Sequence, residues 1–208
     1  MGNTFEEVDD IHFDVLQEIG NIGAGNATTA LSSMLQEKSV GMQVPEVQML
    51  TFKELSEIVG GAETLAVGIM LSLEGDINGS LMFILEIEAA WHLVDLVLGT
   101  DRKKSANKTG FSEMERSALV EVGNIITGAY LSSIATLTNL SVIPSIPYMA
   151  IDMAGAILSV PAIEFGKLGD KALLIESQFT EDGDAIKGYF ILIPTLESYN
   201  HMMASLGL

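Results

Sequence analysis

The stretch "DVLQEIGNIGAG", residues 14–25, combines apolar residues at helical spacing with three glycines. A glycine inside a helix costs about 1 kcal/mol relative to alanine, so three of them need an explanation other than helix stability. A second stretch, "SALVEVGNIITG" at residues 117–128, repeats the same skeleton 103 positions later. This recurrence predicts that the chain is internally duplicated and that each copy contains a helix of this kind.

The likeness between the two halves continues downstream at a slightly larger offset. Residues 76–85 resemble residues 184–193, and each segment contains a glycine, Gly79 or Gly188, that we expect in a turn before an apolar strand. The helical segments that follow, residues 88–99 and 197–208, are also alike and place His92 in register with His201.

The duplication sets the expected domain organisation. We predict a single domain, residues 1–208, made of two repeats at about 1–104 and 105–208. The basic, polar segment 99–110 stands out in an acidic chain, and we interpret it as a solvated linker between the repeats.

Each repeat shows the same order of predicted elements. A long helix comes first, at about residues 10–37 and 112–138, and Ser112 and Glu115 form a capping-box pattern at the start of the second one. A hairpin and a short amphipathic helix follow in each half. The predicted hairpins span residues 65–86, turning at "EGDING", and residues 172–194. The pattern predicts an internally duplicated α+β fold with pseudo-two-fold symmetry, a largely antiparallel sheet and two long helices.

Composition excludes several classes of function. The formal net charge is −18, which repels phosphate backbones and argues against nucleic acid as a ligand. There is no cysteine, and the three histidines lack the spacing of a metal site, so we expect no metal or cofactor of the protein's own. The acidic N-terminus does not resemble a secretory signal, and apolar runs are interrupted well short of the roughly 18 residues of a membrane span. We therefore expect a cytoplasmic protein without membrane insertion.

Both predicted long helices carry a polar stripe. Each helical residue advances by about 100°, so positions i, i+4, i+7 and i+11 fall within roughly 60° of one another. These positions are Asp14, Glu18, Asn21 and Gly25 in the first helix, and Ser117, Glu121, Asn124 and Gly128 in the second. The opposite side of the first helix is apolar, which predicts a packing face formed by Leu16, Ile19, Ala27, Leu31 and Met34.

The recurrence of the stripe indicates function. An ordinary solvated face explains one copy, since charged stripes on helices are common. It does not explain why Glu and Asn recur while neighbouring positions diverged, as Gln17 did from Val120. For Gly20 and Gly123, close packing of two helices is an equally good explanation. The two remaining glycines lie on the polar stripe itself, where the backbone of a partner could approach.

The residue types restrict the chemistry of such a site. Asparagine does not titrate, but it can hold a water molecule in line with an electrophile, as a glutamine does in GTPases. Glutamate can form an ion pair with a cation of the partner or take a proton. The stripe contains no nucleophile and no phosphate cradle. It would suffice for a substrate that brings its own metal and an activated phosphoryl group, such as the phospho-aspartate of a response regulator with bound Mg²⁺ and a nearby lysine.

The pattern D/S-x-x-x-E-x-x-N-x-x-x-G resembles the signature of the CheC/CheX/FliY phosphatases of bacterial and archaeal chemotaxis. The resemblance to the CheC type covers nearly the whole chain, including "GNIGAG", "GDINGS" and "IPSIP" (143–147). The family often has a proline 23 residues after the motif asparagine. Pro147 fits this spacing from Asn124, whereas Pro45 lies 24 residues after Asn21.

The resemblance implies an activity and a role for each stripe residue. The expected reaction is hydrolysis of the aspartyl phosphate of CheY, with Mg²⁺ carried by that substrate. Glu18 and Glu121 would ion-pair with the active-site lysine of CheY, and Asn21 and Asn124 would orient the attacking water. The residues implied to contact the substrate are Asp14, Gly25, Ser117 and Gly128, the glycines by giving clearance.

The resemblance also implies partners and leaves two other functions open. CheC-type proteins pair with the receptor deamidase CheD, so a heterodimer with CheD is expected beside the contact with phosphorylated CheY. One alternative is a non-catalytic binding module that regulates CheD or sequesters phosphorylated CheY. The other is a protein associated with the flagellar switch.

Overall fold

The computed structural model describes residues 10–34, 40–42, 47–100, 110–165, 171–181 and 184–208. A sheet lies between two layers of helices in this part of the chain. The helices are α1 (Asp10–Met34), α2 (Phe52–Ile58), α3 (Ile87–Leu98), α4 (Glu113–Thr138), α5 (Ala154–Phe165) and α6 (Leu196–Ser205). The strands are β1 (Val40–Met42), β2 (Val47–Thr51), β3 (Leu65–Gly75), β4 (Gly79–Glu86), β5 (Val142–Pro144), β6 (Tyr148–Met153), β7 (Lys171–Glu181) and β8 (Asp184–Pro194).

The two long helices are present where the sequence predicts them. The capping box at the start of α4 is confirmed, because the Ser112 backbone N–H donates to Glu115 Oε2 at 2.7 Å and the Glu115 N–H donates to Ser112 Oγ at 3.4 Å. Residues 35–37 of the first predicted helix, and most of the predicted linker, lie outside the described residues.

Sequence reasoning missed α2 and α5. Helix α2 has only seven residues, too few for a periodic pattern, although Thr51 and Glu54 form a capping box that marks its start. Helix α5 is apolar on most sides and contains Pro161, so its sequence resembles an extended segment. These helices cover the second face of the sheet, which makes the fold three-layered.

The sheet is antiparallel, as predicted, and its centre lies between the repeats. The strand order is β1-β7-β8-β4-β3-β5, with β2 on β7 and β6 on β3, and every described pairing is antiparallel. Where β4 meets β8, Met82 pairs with Ile191. These residues are 109 positions apart, as are His92 and His201, so a pseudo-two-fold axis passes between two equivalent positions.

Each repeat also lends strands to the other. Strands β1 and β2 of the first repeat pair with β7 of the second, and β5 and β6 of the second pair with β3 of the first. Each half therefore completes its sheet with strands of the other half.

The strands of both predicted hairpins are present, but the turn predicted at Gly188 is wrong. Strands β3 and β4 are joined by the short turn between Gly75 and Gly79, both of which have positive φ angles of 111° and 152°. Gly188, expected in the equivalent turn, lies inside β8 instead. A Cβ atom there would stand 2.6 Å from the Phe83 ring, so this glycine makes room for an aromatic side chain of the neighbouring strand.

Helices cover both faces of the sheet at its centre, which explains why β4 is buried at seven consecutive positions. Core residues of α1, α3, α4 and α6 pack on one face, and those of α2 and α5 pack on the other. Among the described helices α4 stands out by its hydropathy, although Gly, Asn, Ser and charged residues interrupt its apolar runs as expected. By length and composition this helix could cross a membrane, with a mean hydropathy of 1.3 over 18 residues, but 61% of that window is buried in the fold. It is a core helix.

Candidate functional site: two polar stripes on the paired helices

Helices α1 and α4 lie side by side on the same face of the sheet and turn their apolar sides inward. The predicted packing face is confirmed, since Leu16, Ile19, Ala27 and Leu31 are at most 2% exposed and Met34 packs against the same core. The polar stripes therefore face outward. The exposed stripe residues are Asp14, Glu18, Gly25, Ser117, Glu121, Asn124 and Gly128, and Asn21 is half-buried.

One of the three glycines of the opening stretch is explained by the contact between the helices. A Cβ atom on Gly23 would lie 2.4 Å from Cδ1 of Tyr130, whose ring is fully buried and stacks on Phe190 of β8 with centroids 4.1 Å apart. The positions equivalent to Gly23 and Tyr130, at the offset of 103, are Ile126 in α4 and Ala27 in α1, both fully buried. At both positions the small residue belongs to α1 and the large one to α4, and Gly23 is the extreme case.

Gly123 is explained by the sheet rather than by a second helix. A Cβ atom there would lie 2.6 Å from Cδ1 of Ile69 in β3. The predicted close approach is real, but its partner is a strand side chain, so the helix–helix explanation is wrong for this residue. Gly20, its counterpart in α1, is also buried.

The glycines of the stripes have no such explanation. Around Gly25 and Gly128, a Cβ atom would meet nothing within 4 Å, and neither residue has a positive φ angle. Alanine would fit both positions and would favour the helix by about 1 kcal/mol each. Nothing in the described structure requires these two glycines, so a requirement for them must come from something that approaches the stripe from outside.

The two motif asparagines have different surroundings. Asn124 is exposed, but Oδ1 of Asn21 is buried and accepts no hydrogen bond from the described residues. An unsatisfied buried acceptor costs about 1–3 kcal/mol, and such atoms are rare in folded proteins. Asn21 must turn its carboxamide outward to use this oxygen on a substrate, whereas Asn124 already faces solvent.

A hydrogen bond missed by sequence reasoning ties the two motif helices together. Nδ2 of Asn26, one residue after Gly25, donates to Oγ of Ser133 at 3.1 Å. Ser133 in turn donates to the carbonyl of Ala129 at 2.9 Å. Asn26 directly follows the motif glycine and is not itself a motif position, so the sequence pattern did not mark it as a site residue. The bond fixes the C-terminal part of the first stripe against α4.

The chemistry available at each stripe is that of a carboxylate and a carboxamide three residues apart, which are neighbours on a helix surface. No group of three or more potential metal-ligating side chains occurs among the described residues. The stripes therefore offer hydrogen bonds, one or two negative charges and a bare stretch of backbone. This set can position a water molecule and a cation, and it requires the substrate to supply the electrophile.

The three-layered fold that carries the two stripes is of the class seen in solved FliY and CheX structures. Over 97% of this chain the fold matches Thermotoga maritima FliY with a TM-score of 0.74, at 20% identity and over 98% of that chain. It also matches the CheX–CheY–BeF3–Mg²⁺ complex structure of Borrelia burgdorferi with a TM-score of 0.50, at 16% identity, covering 86% of this chain and 96% of that one.

The sequence comparisons give the family. The model of the CheC-like family matches residues 11–49 and 114–147, the two segments that contain the stripes. The CheY-P phosphatase CheC of Bacillus subtilis (strain 168) is 32% identical over 205 residues, covering 98% of this chain and 97% of that protein. The chain belongs to the CheC-like family, as its motifs predict.

Proposed function

We propose that this protein is a phosphatase that hydrolyses the aspartyl phosphate of a CheY-class response regulator. The observation that carries the proposal is the pair of outward-facing stripes, each with Glu, Asn and a glycine that the fold itself does not need. It is supported by full-length similarity to a protein named CheY-P phosphatase CheC. In this role the protein ends a chemotaxis signal in the cytoplasm.

Each stripe supplies positioning and charge rather than covalent chemistry. When a stripe docks against the phosphorylated regulator, the asparagine carboxamide (Asn21 or Asn124) holds the attacking water in line with the phosphorus. The glutamate one turn earlier pairs with a lysine of the regulator or takes a proton. In this proposal the Mg²⁺ comes with the substrate; a solved complex of a CheX with CheY also contains BeF3 and Mg²⁺.

The remaining stripe residues serve the approach of the substrate. Gly25 and Gly128 leave the helix backbone bare on the outward side, so another backbone can come within van der Waals distance. Asp14 and Ser117 lie one turn before the glutamates, at the edge of the site. Their difference gives the first stripe one more negative charge than the second.

We further propose that CheD pairs with this protein and adjusts the phosphatase rate, a role that rests on the family resemblance. The competing possibility is a binding module that holds CheD or phosphorylated CheY without hydrolysis. The intact Glu and Asn of both stripes favour catalysis, since binding alone does not require a carboxamide at this position twice.

The decisive experiment measures phosphate release from a phosphorylated CheY-class regulator in Mg²⁺, with and without CheD. Asn21→Ala combined with Asn124→Ala should abolish the acceleration, because the water-positioning groups are gone. The control is Asn200→Ala, an exposed asparagine on α6 that belongs to neither motif. Truncation of an exposed residue such as Asn124 or Asn200 usually changes the free energy of unfolding by no more than about 0.5 kcal/mol. Truncation of the half-buried Asn21 breaks no hydrogen bond of its Oδ1 with the described residues, so all variants should stay folded.

Two results would refute the proposal. Wild-type turnover in the double asparagine variant would show that the stripes are not catalytic. A wild-type protein that binds the activated regulator but leaves its dephosphorylation rate unchanged would establish the binding module instead.

A further inference from the structure

Each polar stripe has one more member, which the motif does not contain. Ile11 precedes Asp14 by three residues and Met114 precedes Ser117 by three, so the two are equivalent positions at the same offset of 103. Both are large apolar side chains in solvent, Ile11 with 55% and Met114 with 70% of its surface exposed. Neither belongs to the core on either face of the sheet.

Their position on the helices places them beside the motif residues. Ile11 is about 20° from Glu18 around the helix axis and about 10 Å from it along the axis, and the same holds for Met114 and Glu121. A standard protein interface covers about 800 Å² on each partner, roughly 30 Å across. One docked partner therefore covers the apolar residue together with the glutamate and asparagine of its stripe.

The recurrence of an exposed apolar side chain at equivalent positions argues against chance. Single exposed apolar residues are normal on protein surfaces. Here, however, both copies kept a large apolar side chain while the next two positions diverged, His12 from Glu115 and Phe13 from Arg116. The surrounding chain is strongly acidic, so a polar residue at either position would be the ordinary choice.

We infer that Ile11 and Met114 are apolar anchors for the substrate, which insert beside the phosphorylation site of the response regulator. The inference rests on the proposed function for the identity of the partner. Methionine is enriched in protein interfaces, and removing an exposed apolar side chain of this size from water on docking strengthens binding. The partner that fits is a receiver domain with an apolar depression next to its phospho-aspartate. In this arrangement the lysine of the receiver domain lies over the stripe glutamate, about two helical turns from the apolar anchor along the motif helix.

The test separates the two stripes. In an Asn21→Ala background only the second site can work, and Met114→Gln is added. In an Asn124→Ala background only the first site can work, and Ile11→Gln is added. Glutamine is a good helix former, so the helices and the melting temperature should be unchanged. The matched control in each background is Ile163→Gln, whose side chain is 78% exposed on α5 across the sheet.

We expect each anchor variant to raise KM for the phosphorylated regulator about tenfold while kcat at saturation stays the same. Met114→Leu should restore the wild-type KM, because it keeps an apolar side chain. The inference is overturned if KM does not change, or if the Ile163→Gln control raises it equally.

A binding titration keeps this inference distinct from the proposed function. Regulator activated with beryllium fluoride is titrated against the wild-type protein and the two anchor variants, a measurement that needs no turnover. Weaker binding of the anchor variants supports the anchors even if the wild-type protein proves to have no phosphatase activity. Equal affinity of all three proteins refutes the anchors whatever the turnover is.

Discussion

Replacing the two stripe glycines by alanine should make the protein more stable and less active. At Gly25 and Gly128 a Cβ atom meets nothing within 4 Å and the backbone is helical, so the only intramolecular effect is on helix propensity. That effect is about 1 kcal/mol per substitution in favour of alanine. For a chain of this length, 1 kcal/mol raises the melting temperature by about 2–4 °C, so the double variant should melt about 4–8 °C higher.

The same two methyl groups should obstruct the substrate. If the regulator's backbone approaches within contact distance of these glycines, the added methyl groups prevent the docked geometry, and we expect kcat/KM to fall about tenfold or more. Thermal denaturation and phosphate release, measured on the same samples, test both halves of the prediction.

The control is Gly23→Ala, two residues away. There the new Cβ atom would stand 2.4 Å from Tyr130, and overpacking of this kind costs about 1–3 kcal/mol. A more stable double variant with unchanged kcat/KM would refute the argument that the glycines are kept for a partner.

Three further predictions concern the stripes and their helices. Asn124→Ala should reduce phosphate release more than Asn21→Ala, because Asn21 must first turn its buried oxygen outward; equal losses, with or without CheD, would contradict this. Glu18→Ala with Glu121→Ala should weaken the titration with activated regulator as well as turnover, and unchanged affinity would eliminate the ion-pair role. Ser112→Ala should lower the free energy of unfolding by about 1 kcal/mol in denaturant titration through loss of the α4 cap, and no loss would show that the capping box is dispensable.

Much of the fold could be predicted because its signals are local or repeated. The helical spacing around residues 14–25, the Ser112 cap and the "EGDING" turn are each set by residues close in sequence, and all are present in the structure. Helix α5 could not be found in the same way. Its apolar residues face both the sheet and solvent, so its sequence lacks the one-sided pattern on which such predictions depend.

By itself, the sequence determined that the chain is a duplicated α+β protein and which residues occupy the outward stripe, since helical periodicity and the constant offset require no knowledge of distant contacts. Only the tertiary structure decided what each glycine is for. Gly23 and Gly123 are needed because Tyr130 and Ile69, more than 40 positions away in sequence, press against the helix backbone, whereas Gly25 and Gly128 meet nothing. The order of residues cannot separate these cases, because the space around a Cα atom is set by side chains that only folding brings there.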